Sequence, residues 1–375
     1  MKRRVFVTFF LLVLVQVIYG QQQFTTVIQL PATPVKHQYN SGTCWCFSTT
    51  AMLECELMRT NKPTPDLSEA FTVYHIYIDK ATRYLQLRGR NRFAEGGLGQ
   101  DMLYALQQFG AMPQEVYPGK GKDNIMTANY TMADKLKQYL DGLLTRYNDT
   151  IPGTWKEGFT AILKSYIGTP PTSFEYNGKT YTPKSFAAEY VPFDRNTFTG
   201  LTSFTHHPLY TSFSMEVPDN YNNNTYFNLS LDELEQTVKT ALRNGYTITW
   251  DADVTNRGFQ PKKGLAKWVA TLEDAEQFPT YTEQSYTPEL RQQLFEQQVT
   301  QDDHLMLITG LATDAGGKEY FIVKNSYGES GPYKGYIYVS MPYFAINTIS
   351  VLVNTNSLPT TLVQKIAAER QLAGQ

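Results

Sequence analysis

The chain has 375 residues, 42% hydrophobic and 18% charged, enough apolar material for one large core or two modest ones. That composition excludes a disordered or fibrous chain, and three Cys are too few for a disulfide scaffold. A formal net charge of −2 at pH 7 supplies no basic footprint, so no nucleic-acid partner is expected.

Residues 1–20, MKRRVFVTFFLLVLVQVIYG, join a basic start to an apolar stretch from Val5 to Val15 and end on a small residue, Gly20. This is the pattern of a secretory signal peptide, and the stretch is short for a membrane span. The sequence therefore predicts an exported protein, periplasmic or extracellular. No later stretch is long and apolar enough for membrane insertion.

In the Ser41–Arg59 segment, apolar residues recur at helical spacing behind Ser41, Gly42 and Thr43, which predicts a buried helix from about Thr43. Asp66-Leu67-Ser68-Glu69 opens a second helix, and Glu95-Gly96-Gly97-Leu98-Gly99 reads as a turn that exposes its backbone. Residues 21–120 thus form a helical lobe. From 121 to 228 the composition shifts to Asn, Thr, Tyr and Pro, with a hairpin signal at Asn177-Gly178 between Phe174 and Tyr181; this stretch reads as an insertion or subdomain. Ser230-Leu231-Asp232-Glu233 is a capping box leading a helix to Arg243 that stops at Gly245. Alternation predicts strands at 246–250, 304–309, 320–323 and 336–340, which makes residues 229–357 a β-rich lobe. Residues 358–375 form a short helical arm with a polar end.

A thiol attacks as thiolate, so a nucleophilic Cys wants a helix N-terminus and an imidazolium beside it. Cys44 meets the first condition. A helix end contributes up to about 2 kcal/mol, roughly 1.5 pKa units, whereas a His-paired catalytic thiol falls by about five units. A partner base must therefore supply most of the shift. Among five His, His304 is the best placed, because Asn325 follows 21 residues later and a neutral amide can accept its second ring N–H and fix its tautomer.

These residues resemble a known family. Gln38-Tyr39-Asn40-Ser41-Gly42-Thr43-Cys44-Trp45-Cys46-Phe47, Asp303-His304 and Asn325-Ser326-Tyr327-Gly328, in this order, are similar to the papain-like cysteine peptidases. Asp302-Asp303-His304-Leu305-Met306-Leu307, Thr202 to Pro208, Pro218-Asp219-Asn220 and Gly335 to Ser340 narrow the resemblance to the bleomycin hydrolase and aminopeptidase C branch. The resemblance implies an α+β, two-lobed papain-like fold with a large insertion. It implies Cys44 as nucleophile, His304 as general base and acid, Asn325 as its orienting partner and Gln38 as an oxyanion donor with the Cys44 amide. Gly96 and Gly97 would pair with an extended peptide substrate. The 260 residues from Cys44 to His304 exceed the compact papain spacing of roughly 130–150, and 121–228 is where the excess would be housed. Tyr327 stands where the family usually has Trp, and Cys46 where Ser or Ala is common.

The resemblance implies a thiol peptidase of the aminopeptidase kind, in which the C-terminal arm meets the substrate's amine; the rivals are a papain-like endopeptidase and a non-catalytic binding protein retaining the fold. No cofactor and no metal is implied. The branch often assembles into rings, which leaves a homo-oligomer open. His206-His207 read as structural, because neighbours on an extended strand point to opposite faces. Asp251 and Asp253 with Asp302 and Asp303 imitate a cation site without zinc-like spacing, and Asp303 is expected to position the His304 strand.

Overall fold

The computed structural model describes residues 23–119, 129–147, 150–278 and 280–372. The signal-like segment 1–20 lies outside them. The helix Cys44–Arg59 is buried from Cys44 through Leu57, as expected of a segment whose only acids, Glu54 and Glu56, find partners inside the protein. Ser68 Oγ caps the next helix, Glu69–Gln86, by accepting from Phe71 N at 3.1 Å. Asp101 returns to the amide of Leu98 at 2.8 Å and so fixes the start of helix Gly99–Phe109. Helices Asn129–Arg146 and Trp155–Ile167 pack on each other and on Glu69–Gln86, burying Leu136, Leu140, Phe159 and Leu163 in the same core as the Cys44 helix.

At the expected hairpin, Phe174–Tyr176 pairs with Lys179–Tyr181, and Asn177 and Gly178 both take positive φ, 50° and 76°, which a type I′ turn requires. The capping box at Ser230 forms, with Ser230 Oγ accepting from Glu233 N, and helix Leu231–Arg243 follows.

Among the described residues, eleven strands form one sheet, ten of them from residues 198–354 and the eleventh from Phe24–Gln29. Its centre is the long strand His304–Asp314. Residues 304–308 pair with Ile248–Ala252, and residues 310–314 pair with Phe24–Gln29. Gly310 stands at the change of partner because a Cβ there would collide with the Ile28 carbonyl. Strands Glu319–Lys324 and Tyr336–Ser340 extend one side of the sheet; Thr348–Asn354, Phe198–Thr202 and Thr225–Asn228 extend the other. The architecture is thus α+β, a helical half against a curved sheet.

Alternation along His304–Asp314 sends side chains to two cores. Leu305 and Leu307 join the helical core with Cys44 and Phe47, while Met306 and Ile308 join the sheet core with Trp250 and Val351. Leu307, 1% exposed, therefore sits on the seam. Leu307→Ala should cost about 2–5 kcal/mol in urea unfolding; a loss under about 1 kcal/mol would mean that the two halves do not share this contact.

Candidate active site

Cys44 is the first residue of its helix and 5% exposed. Thr43 Oγ1 pairs with Ser41 Oγ at 2.7 Å and makes no cap bond, so the cap side chain does not claim the first helical amides. The sulfur lies against the backbone of Leu305, one residue past His304. Burial pushes the Cys44 thiol up to about 12; the Leu305 hydrogen bond opposes this, and the carboxylates of Asp302, Asp219 and Asp251 add to it.

His304 is 2% exposed. Its Nε2 is 2.7 Å from Asn325 Oδ1, which also accepts from Ser326 N at 2.8 Å. The backbone donor identifies that atom as the amide oxygen, so Nε2 carries the ring proton and Nδ1 is the basic nitrogen. Tyr327 stacks on the ring with centroids 4.8 Å apart. Burial drives His304 down to about 4, against the raising effects of Asn325 and Asp303.

Gln38 ties the two segments together. Its Nε2 donates to Ser41 O at 2.6 Å, its Oε1 accepts from Ser326 Oγ at 2.5 Å, and its backbone N–H donates to Ser326 O at 2.8 Å. The second N–H of the amide remains for another acceptor.

The Glu95–Gly97 loop forms the facing wall. Glu95 accepts from the Gly42 amide at 2.7 Å, and its carbonyl accepts from Trp45 Nε1 at 3.1 Å. Lys80 Nζ donates to the carbonyls of Ala94 and Gly96. A Cβ on Gly96 would overlap the Asp219 carboxylate, and one on Gly97 would press on the Trp45 ring. Cys44, Gly42, residues 92–97, Ala133, Asp134, Lys137, Asp219, Asp302, Asp303 and Leu305 line a cleft of about 410 Å³. None of residues 358–372 lines it. Helix Thr360–Leu372 packs elsewhere: Glu369 accepts from Ser212 N and Oγ, and Arg370 donates to Thr199 Oγ1 at 3.2 Å.

Two aspartate pairs, Asp251 with Asp302 and Asp253 with Asp303, sit at the adjoining ends of neighbouring strands beside the cleft. Asp303 Oδ2 accepts from the amides of Val254 and Thr255 at 3.2 and 3.1 Å, the anchoring role expected for it. Asp251, 1% exposed, bonds to Asp302, and Asp251 Oδ1 and Asp302 Oδ2 have no donor around them. Two carboxyls can bond only through a shared proton. Burial raises Asp302 to about 7 and Asp251 well above its usual range, as such a pair requires.

His206 and His207 do not point apart: both Nε2 atoms approach Glu216, at 3.4 and 2.7 Å. The strand argument failed because these residues lie in a bend, outside any strand. A His/His/Glu trio has a metal-ligand composition. Its wiring opposes that use. Gln292 Oε1 is taken by the Thr205 amide at 2.7 Å, so the Gln292 NH₂ donates to His206 Nδ1 at 2.9 Å and leaves the proton on Nε2, aimed at the carboxylate.

Sequence reasoning missed Asp219 as a cleft residue. Its only signal was the Pro218-Asp219-Asn220 stretch that carries part of the family resemblance, and nothing in spacing relates residue 219 to a glycine at 96.

Comparison with known proteins fits this arrangement. Residues 82–373 match the model of the Peptidase C1-like family, and the chain belongs to that family. It is 22% identical to "Cysteine proteinase 1, mitochondrial" of Saccharomyces cerevisiae, over 93% of this chain and 80% of the relative. It is 23% identical to "Aminopeptidase G" of Lactobacillus delbrueckii subsp. lactis, over 88% and 83%. The crystal structure of pepw from Lactobacillus rhamnosis superposes with a TM-score of 0.74 at 20% identity, covering 92% of this chain and 85% of that one, and shows the fold. The protein is a papain-like cysteine peptidase. The expectation of an exported, periplasmic or extracellular protein is corrected by these relatives: the yeast relative is a mitochondrial proteinase. A basic and apolar N-terminal stretch is a weak guide to destination by itself.

The Asp251–Asp302 pair makes a pH-dependent prediction. A carboxyl raised in the folded state lends stability below about pH 4 that is lost as pH climbs through the folded value, about 7 for Asp302. Asp251→Asn keeps a permanent donor between the two groups. It should gain about 1–3 kcal/mol over wild type at pH 8 and almost nothing at pH 4 in urea unfolding. An equal change at both pH values would exclude the shared proton.

Proposed function

We propose that the protein hydrolyses peptide bonds as an aminopeptidase, with Cys44 as nucleophile, His304 as base and acid, Asn325 orienting the imidazole, and Gln38 with the Cys44 amide receiving the oxyanion. The observation that carries this reading is the wiring of His304. Its Nε2 is committed to Asn325 at 2.7 Å, so Nδ1 is the nitrogen left for a thiol proton.

Burial disfavours thiolate and imidazolium singly, as the opposite displacements of Cys44 and His304 indicate. Passing the proton from Sγ to Nδ1 creates both ions together, so their mutual attraction offsets part of the desolvation each would suffer alone. The thiolate then adds to the scissile carbonyl carbon, and the oxyanion accepts from Gln38 Nε2–H and the Cys44 N–H. The imidazolium returns its proton to the departing amine, leaving a thioester. Water, deprotonated by Nδ1, releases the acid and restores the thiol. Gly96 and Gly97 offer backbone to an extended peptide, which only a residue without a side chain permits beside Asp219 and Trp45.

The exopeptidase assignment is supported by the aminopeptidase names of the relatives from lactic acid bacteria. The stacking of Tyr327 over His304 supports the catalytic reading over the non-catalytic one.

Fluorogenic amides of single amino acids, assayed under reducing conditions, test the reading. Cys44→Ala should reduce hydrolysis to background, and Gln38→Ala should lower kcat by about 10²–10³ with little change in KM. Full activity in Cys44→Ala would end the assignment.

A further inference from the structure

We infer that a second cavity, separate from the cleft of Cys44, binds a small anionic molecule through a phosphate or carboxylate group held by Arg195, Arg370 and Gln100. The inference stands apart from the peptidase reading, because this cavity and the cleft have no lining residue in common.

The cavity is bounded by strand Phe198–Thr202, helix Gly99–Phe109, residues 222–225 and helix Thr360–Leu372, and it has a volume of about 740 Å³. Sites for small molecules span about 300–1,000 Å³, whereas a single bare ion would leave most of this space unfilled. Gly200 keeps the floor open: a Cβ there would come within 2.5 Å of Gln100 Nε2.

Charge gives the sign of the ligand. The lining includes two cations, Arg195 and Arg370, and no carboxylate. Among the described residues neither arginine takes part in an ion pair. The acids next to them in the chain serve other donors. Asp194 accepts from Asn196 N at 2.9 Å, and Glu369 accepts from Ser212 N and Oγ at 3.0 and 2.8 Å. Arg370 gives one Nη2–H to Thr199 Oγ1 at 3.2 Å, and a guanidinium has five donors in a planar fork. Two part-buried guanidiniums in a chain of net charge −2 are a built anion site, and the fork matches the paired oxygens of a phosphate or carboxylate.

Gln100 is the second, independent observation. Its Oε1 accepts from Tyr226 Oη at 2.7 Å, so its Nε2 has two N–H groups to give, yet Nε2 is buried and has no acceptor. A buried donor normally has a partner. An oxyanion in the cavity is the missing acceptor. Asn222 adds to this wall: its Oδ1 accepts from Arg83 Nη1 at 3.3 Å, which leaves its NH₂ as a further donor.

The test is isothermal titration calorimetry of the full-length protein with inorganic phosphate, glucose 6-phosphate and glucuronate, and with glucose as the uncharged control. At low salt at least one of the three anions should bind, one per chain, with Kd below about 5 mM, and glucose should not. The stronger of glucose 6-phosphate and glucuronate tells whether phosphate or carboxylate is preferred. Arg195→Ala and Gln100→Glu should each weaken that binding at least tenfold; the glutamate keeps the acceptor for Tyr226 and turns the free donor into a negative oxygen. Melting temperatures are recorded alongside, and if Gln100→Glu does not fold, Arg195→Ala alone decides. Failure of all three anions to bind below about 5 mM overturns the inference. So does binding that Arg195→Ala leaves unchanged, or glucose binding as tightly as its phosphate.

Discussion

One packing contact carries the rest of this structure: the helix Cys44–Arg59 laid against the start of strand His304–Asp314. Leu305 and Leu307 face the helix, Met306 and Ile308 face the sheet core, and the two halves are thereby fixed to each other by alternate residues of one strand. The sulfur of Cys44 meets the backbone of Leu305 at this seam, and the imidazole of His304 is held at its end by Asn325. Gln38 closes the arrangement by joining the loop before Cys44 to Ser326. A shift of about 1 Å along the seam would affect all four groups together, which is why the site depends on packing as much as on residue identity.

The same burial that fixes the geometry sets the electrostatics. A dry thiol and a dry imidazole resist separate ionisation, and the carboxylates of Asp219, Asp251 and Asp302 push the thiol further in that direction. An acidic wall beside a buried thiol works against thiolate formation, so any thiolate there must draw its compensating charge from a cation next to it.

Much of the site was legible because its signals are local. Cys44 follows Ser41-Gly42-Thr43 at a helix start, and His304 and Asn325 stand at the adjoining ends of two antiparallel strands, 304–314 and 319–324. The capping box at Ser230 and the Asn177-Gly178 turn were readable for the same reason. Helix Met341–Asn347 and strand Thr348–Asn354 were not. The helix has 7 residues and buries most of them, and the strand is buried at every position, so neither shows a polar face to set a period. Asp219 against Gly96 was also invisible, because it joins segments whose meeting depends on the tertiary fold, and Asp251 with Asp302 was grouped only as the imitation of a cation site. The His206-His207 pair misled because alternation applies only to a strand.

The central claim is that the His304 imidazole makes the Cys44 sulfur reactive. The most direct measurement is the rate of Cys44 alkylation by iodoacetamide at pH 6, with the modified residue located by mass spectrometry, in wild type and in His304→Ala. The account predicts rapid, selective alkylation of Cys44 in wild type and its loss in the variant. Equal rates in the two proteins, or labelling of all three cysteines alike and only in alkali, would contradict it.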